Sequence, residues 1–211
     1  MNKTNFSIAL FSSYEIGCTA LLFKRGFEQL GLKVWTFTIS TDAPNDWIVV
    51  DSAKSVEECL TSNFISLESL ECVIVFEPNG KTKYLPLNIE SLPIKTVLIA
   101  IDNHLNYRWN KEYSQLFDYA FWAQKDWLIE SKNYGLTNVY WLPLAADYEW
   151  HYGNPSQERP IDVGFVGNMT HKRKIFFDRL SNVFNVQIRS GLYNRDMGDF
   201  YSQCKIVVNP V

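Results

Sequence analysis

The chain has 211 residues, 46% of them apolar and 20% charged, with a net charge of −3. That is enough apolar side chain to pack one large domain, or one full domain and part of a second; it argues against disorder, and the chain as a whole does not read as a nucleic-acid binder. No apolar run approaches the roughly 18 residues of a membrane-spanning helix, so no membrane span is expected.

The N-terminal stretch MNKTNFSIALFSSYE has only a short apolar core before Ser12, Ser13 and Glu15. It reads as a first strand, Phe6 to Phe11, rather than a signal peptide. A loop, Ser12 to Gly17, leads into a helix from about Thr19 to Leu30, whose apolar residues Ala20, Leu21, Phe23, Phe27 and Leu30 recur at threes and fours before Gly31. Lys33 to Ile39 alternates and is rich in Val, Trp, Phe and Thr, as strands are. Strand, helix, glycine and strand within 40 residues make a βαβ unit and imply a parallel sheet. Between Thr41 and Leu70 the pattern carries only a weak helix near Ser55 to Leu60. Buried strands are expected at Cys72–Phe76, Lys95–Ile101, Tyr119–Ala123 and Val139–Leu142, with helices around Lys111–Leu116 and Asp126–Tyr134.

Residues 144–160 break this grammar with Gly, Asn, Ser, Gln and two Pro, which marks a linker. The expected organisation is an N-terminal domain over 1–150, a linker at 151–160, and a second α/β unit over 161–211. In that unit Asp162–Val166, Val183–Arg189 and Lys205–Asn209 read as strands, and Lys172–Leu180 and Met197–Gln203 as helices. It ends on an apolar strand with no closing helix, although parallel sheets need both faces covered. Either this unit leans on the first unit or on a partner, or the chain is shortened at its C-terminus, which is the favoured reading; the sheet is then left with an open edge that favours a homodimer or aggregation. The four cysteines, Cys18, Cys59, Cys72 and Cys204, are scattered without a Cys-x-x-Cys pair, as in a reduced, cytoplasmic protein.

Ligands of open α/β sheets bind beyond the carboxyl ends of the strands, so the residues after each strand carry the functional reading. Neither a GxGxxG nor a Walker motif is present, which removes the simple NAD and P-loop readings. Charge is uneven: residues 1–159 hold 13 Lys/Arg against 19 Asp/Glu, and residues 160–211 hold 7 against 4. The positive end carries the segment DVGFVGNMTHKRK, a strand running into Gly167 and a helix start. Gly167 lets backbone approach a ligand, Thr170 fits an N-cap, and the helix start suits a phosphate. Lys172, Arg173 and Lys174 place three cations where the helix dipole disfavours them, so the turn is either a phosphate site or an exposed basic face. Asp102 and His104 end another strand, where they are either a general-base pair or a capping Asp and a turn His. Tyr107 and Trp109 then form either a platform for a sugar or part of the core. Glu15, in the first loop, is a further polar candidate. The three histidines are too dispersed for a metal site.

The order of the "DN" strand end at Asp102, the block FWAQKDWLIESKNYGLTNVYWLPLAAD, DVGFVGNMTHKRK and YSQCKIVVNP resembles the CgeB-like (spore maturation protein) glycosyltransferases of the two-domain GT-B fold. The resemblance is good over 95–211 and loose over 1–40. It implies a Rossmann-like acceptor-side domain followed by the first part of a Rossmann-like donor domain. The implied activity is sugar transfer from a nucleotide sugar to an acceptor that is a glycan, a protein or a small molecule, with no bound metal and no cofactor. Gly164, Gly167 and Asn168 match the turn facing the donor diphosphate, Arg173 the helix position that neutralises it, Asp102 and His104 the acceptor-side strand end, and Tyr201 and Asn209 a later motif. The family's "FEAMACG"-type segment is absent, so a non-catalytic binding or regulatory module is the alternative.

Overall fold

The computed structural model describes residues 6–78, 84–153 and 157–210. The chain divides into two compact units, residues 1–145 and 146–211. Part of the expected linker, residues 154–156, lies outside the described residues. The division falls inside the 144–160 break, at its start, so that residues 146–150 group with the second unit rather than with a domain over 1–150.

The first unit is a seven-stranded sheet of β1 (Ser7–Phe11), β2 (Lys33–Thr38), β3 (Trp47–Val49), β4 (Cys72–Phe76), β5 (Lys95–Ala100), β6 (Tyr119–Trp122) and β7 (Val139–Trp141). The spatial order is β3-β2-β1-β4-β5-β6-β7, and every pairing is parallel. This is a Rossmann-like α/β sheet whose order reverses between β1 and β4.

Successive residues point to opposite faces of a strand, and β1 is buried on both. Ile8 and Leu10 join Ile74, Phe76 and Ile99 under helix α1 (Thr19–Gln29). Ala9 and Phe11 join Phe37, Val73, Val75, Leu98 and Trp122 on the other face. There α2 (Val56–Thr61), α3 (Asn103–Ser114) and α4 (Trp127–Asn133) supply Val56, Leu60, Tyr107, Tyr113, Trp127 and Leu128. The weak helix expected near Ser55 is fixed by a capping box: the Ser55 hydroxyl accepts from the Glu58 N–H at 3.2 Å, and the Glu58 carboxylate accepts from the Ser55 N–H at 2.7 Å.

The largest departure is α3. A short helix was expected around Lys111–Leu116, but it begins at Asn103, directly at the strand end. Its inward residues Asn103, Asn110 and Ser114 are polar and fully buried, so apolar periodicity could not reveal it. Strand β3 was also not expected; it has three residues and pairs with β2 at the sheet edge.

The second unit has a three-stranded parallel sheet in the order β10-β8-β9, formed by β8 (Ile161–Val166), β9 (Val186–Arg189) and β10 (Cys204–Val207). Helices α5 (His171–Leu180) and α6 (Asn194–Ser202) complete it. Ile161, Phe200 and Cys204 form one buried cluster, and Val163, Phe165 and Phe177 are also buried. Two glycines permit close approach. A Cβ at Gly164 would lie 2.2 Å from Cys204 Sγ, and one at Gly198 would lie 1.9 Å from the Trp150 carbonyl oxygen. The second contact explains why residues around Trp150 belong to this unit: their backbone lies directly on α6.

Overpacking of this kind typically costs about 1–3 kcal/mol. Gly164→Ala is expected to destabilise the chain in urea unfolding by about that amount, and a second change, Cys204→Ala, to recover part of the loss by removing Sγ. Gly198→Ala is expected to cost more than Gly164→Ala, because a backbone carbonyl yields less readily than a side chain.

Candidate functional site

All strands of the first unit run in parallel, so the loops after β1, β4, β5 and β6 share one edge of the sheet. Glu15 is exposed in the loop after β1, where its carbonyl accepts the Cys18 N–H at 2.9 Å. The same loop is tied to β2 by the Tyr14 N–H, which donates to Thr38 Oγ1 at 3.0 Å and Ser40 Oγ at 3.1 Å. Burial pushes the nearby Cys18 thiol up from its ordinary pKa.

Asp102 follows β5 and occupies the N-cap position of α3, yet its side chain makes no capping bond. The capping reading of Asp102 therefore fails. A different residue meets the helix start: Glu77, which follows β4 and is 8% exposed. Its carboxylate accepts from the Asp102 N–H at 3.0 Å and from Asn110 Nδ2 at 2.7 Å. A carboxylate there is favoured by the positive end of the helix dipole. From the other side, Gln124, which follows β6, accepts the Asn103 N–H at 3.0 Å and donates Nε2 to the Ile101 carbonyl at 2.5 Å. Three consecutive residues thus have their backbone held by side chains from neighbouring strands, and the Asp102 carboxylate is left over.

His104, one turn position further, is exposed. Among the described residues no hydrogen bond or ion pair joins it to Asp102. Tyr107 and Trp109 do not form a common platform, because residues two apart on a helix face different ways. Tyr107 packs α3 onto α4: its hydroxyl donates to the Glu130 carbonyl at 3.1 Å, and its ring lies edge-on to Trp122 and 4.9 Å from Trp127. Trp109 is 46% exposed.

Glu77, Gln124, Asn103 and Asn110 were missed in the sequence. Their only signal was position: Glu77 is the first residue after an apolar strand. Asn103 is 0% exposed with neither side-chain amide atom hydrogen-bonded, and Asn110 Oδ1 is likewise unpartnered.

In the second unit, Gly167 and Asn168 follow β8, and Asn209 follows β10, again at one sheet edge. Thr170 is the N-cap of α5, its hydroxyl accepting the Arg173 N–H at 3.3 Å. Other parts of the expected phosphate turn are used differently. Gly164 stands inside β8 and its bare Cα faces Cys204 and Phe200, so it is a packing glycine and not part of the turn. Gly167 donates its N–H to the Arg189 carbonyl at 3.0 Å. A Cβ on Gly167 would lie 2.8 Å from the Phe165 ring.

Arg173 donates Nε to the Pro210 carbonyl at 2.9 Å, Nη1 to the Asn168 carbonyl at 2.8 Å and Nη2 to Asn209 Oδ1 at 3.4 Å. Its guanidinium also lies 5.1 Å from the centre of the Phe165 ring. Lys174 pairs with Asp178 one turn on, at 2.8 Å. Of the three cations in this turn, Lys172 alone has no partner among the described residues. Tyr201 packs against the core of the unit, and burial raises its phenol above the ordinary value.

Among the described residues no group of three or more His, Cys, Asp or Glu is placed to hold a metal ion. No helix among them is long and apolar enough to cross a membrane. No protein-family model matches the chain, and no curated protein matches its sequence.

Arg173 joins the turn after β8 to the segment after β10 through a planar fork that lysine cannot reproduce. Arg173→Lys, which keeps the charge, is expected to lower stability by about 1 kcal/mol or more, nearly as much as Arg173→Ala. A thermal melt of both variants checks this; an unaltered Arg173→Lys would mean that only the charge matters.

Proposed function

We propose that the chain acts as a glycosyltransferase of the GT-B type, transferring a sugar from a nucleotide-sugar donor to an acceptor hydroxyl. The observation that carries this reading is Asp102: a carboxylate at the carboxyl edge of a Rossmann-like sheet, two strands from its reversal point, whose backbone is held while its side chain is not used as a cap. The resemblance of residues 95–211 to CgeB-like transferases supports the same assignment.

In this reading the acceptor hydroxyl meets Asp102 or His104. In an inverting transfer one of them takes the hydroxyl proton as the acceptor oxygen bonds to the anomeric carbon. The bond from that carbon to the diphosphate oxygen breaks, and the nucleoside diphosphate leaves. Within the second unit, the donor phosphates are assigned to the start of α5, where helix N–H groups and Lys172 are available and Arg173 keeps the turn in shape. Arg173 thereby moves from direct neutralisation to support of the turn, and Lys172 becomes the first candidate for the phosphate.

Calorimetric titration with UDP or GDP tests the donor half. A charge-assisted hydrogen bond is worth roughly 1.5–3 kcal/mol, so Lys172→Ala is expected to weaken binding by about 10- to 100-fold. A chain that binds neither nucleotide at millimolar concentration is instead the non-catalytic module. For the acceptor half, loss of a general base costs roughly 10²–10⁴-fold. Asp102→Asn or His104→Ala is expected to lower kcat by such a factor with little change in donor KM, and the larger loss identifies the base. Full activity in both variants overturns the assignment.

Association of two chains belongs to the same proposal. Ile206 and Val207 are 57% and 45% exposed on the edge strand β10, and open edges template pairing. Light scattering is expected to report a dimer; a monodisperse monomer removes this element.

A further inference from the structure

We propose that Glu77 is a positioning residue: its buried carboxylate holds the Asp102 backbone so that the Asp102 side chain is free to meet an acceptor. The inference rests on the transferase reading for the chemistry, but not for the tether itself.

A residue at a helix N-cap normally turns its own side-chain oxygen onto the first-turn N–H groups, because those donors have no partner within the helix. An Asp in that position is among the best caps. Asp102 nonetheless makes no such bond. Glu77 supplies a negative charge to the same helix end from the adjacent strand, and its Oε1 takes the Asp102 N–H at 3.0 Å. Its Oε2 takes Asn110 Nδ2 at 2.7 Å, two turns along the same helix. The carboxylate therefore grips α3 at two points. The Glu77 N–H continues the sheet ladder to the Ile99 carbonyl at 2.8 Å, so the grip is anchored in the β4–β5 pair. Gln124 completes the hold on residues 101 and 103. Without Glu77 the Asp102 N–H loses its acceptor, the backbone at the N-cap is released, and the Asp102 carboxylate can turn onto the first-turn N–H groups in the usual capping geometry.

The substitutions Glu77→Ala and Glu77→Gln separate this role from mere packing. Glutamine keeps the volume and still accepts the Asp102 N–H through its carbonyl oxygen. Once the Asn110 amide turns over, the glutamine Nε2 donates to Asn110 Oδ1, which has no partner in the native chain. Two measurements are made on the whole chain: backbone amide exchange over residues 102–106, and steady-state sugar transfer from a nucleotide-sugar donor. In Glu77→Ala, the amides of Asp102 and Asn103 are expected to exchange at least tenfold faster than in wild type. Turnover is expected to fall about 100-fold, the scale of a misplacement near 1 Å, while donor KM stays within about twofold. Glu77→Gln is expected to restore slow exchange and to recover turnover to within about tenfold of wild type.

Exchange that is unchanged in Glu77→Ala overturns the tether, whatever the chain catalyses. Fast exchange in Glu77→Ala with undiminished turnover overturns the positioning role. Fast exchange restored by Glu77→Gln, in a wild type that turns over no nucleotide sugar, supports the tether and overturns the transferase reading instead. If Glu77→Ala does not fold, Glu77→Gln decides: native exchange and near-native turnover support the proposal, and loss of both overturns it.

Discussion

A buried carboxylate from one strand end controls how the next strand ends. Burying an ionised carboxylate is costly unless it is hydrogen-bonded, and Glu77 meets that condition by taking one N–H from the chain turning out of β5 and one amide from within α3. The direction of α3, the freedom of the Asp102 carboxylate and the polar inner face of the helix all follow from that arrangement. An apolar helix face would bury more favourably against the sheet. Here Asn110 and Ser114 face inward instead, the Ser114 hydroxyl donating to the Asn110 carbonyl and accepting Trp122 Nε1 at 3.1 Å.

The same helix carries a cost. Asn103 and Asn110 leave side-chain amide atoms buried without a protein partner, and an unsatisfied buried polar group costs about 1–3 kcal/mol. Most buried polar groups in folded proteins are satisfied. Three unpartnered atoms on one helix, at the sheet edge where ligands of this fold class bind, set this region apart from the apolar packing around β1 and β4.

The second unit solves a related problem with different chemistry. Close contact there is obtained by removing side chains: Gly164 admits Cys204, and Gly198 admits the Trp150 backbone. The turn after β8 is held by one guanidinium, which reaches two backbone carbonyls and the Asn209 side chain. A cluster of three cations thus divides its work. Arg173 serves the fold, Lys174 pairs along its own helix, and Lys172 is left to the solvent side.

Alternating apolar residues in β1, β4 and β5, the threes and fours of α1, and the break after Leu142 are local patterns with a period set by backbone geometry. They determined the α/β class, the parallel sheet and the succession of elements. They also placed Asp102, His104 and Gly167 after strands, since position after a strand is a one-dimensional property. The start of α3 was beyond that reading, because its buried face is polar and the N–H groups at its start are met by Glu77 and Gln124 from other strand ends. Nor could spacing separate Gly164 from Gly167, or Arg173 from Lys172. Each pair shares residue type and neighbourhood, and what distinguishes them is a contact with Cys204, Pro210 or Asn209 from a distant strand. The elements were decided by local periodicity; the roles of their end residues were decided only by which strand ends the tertiary fold brought side by side.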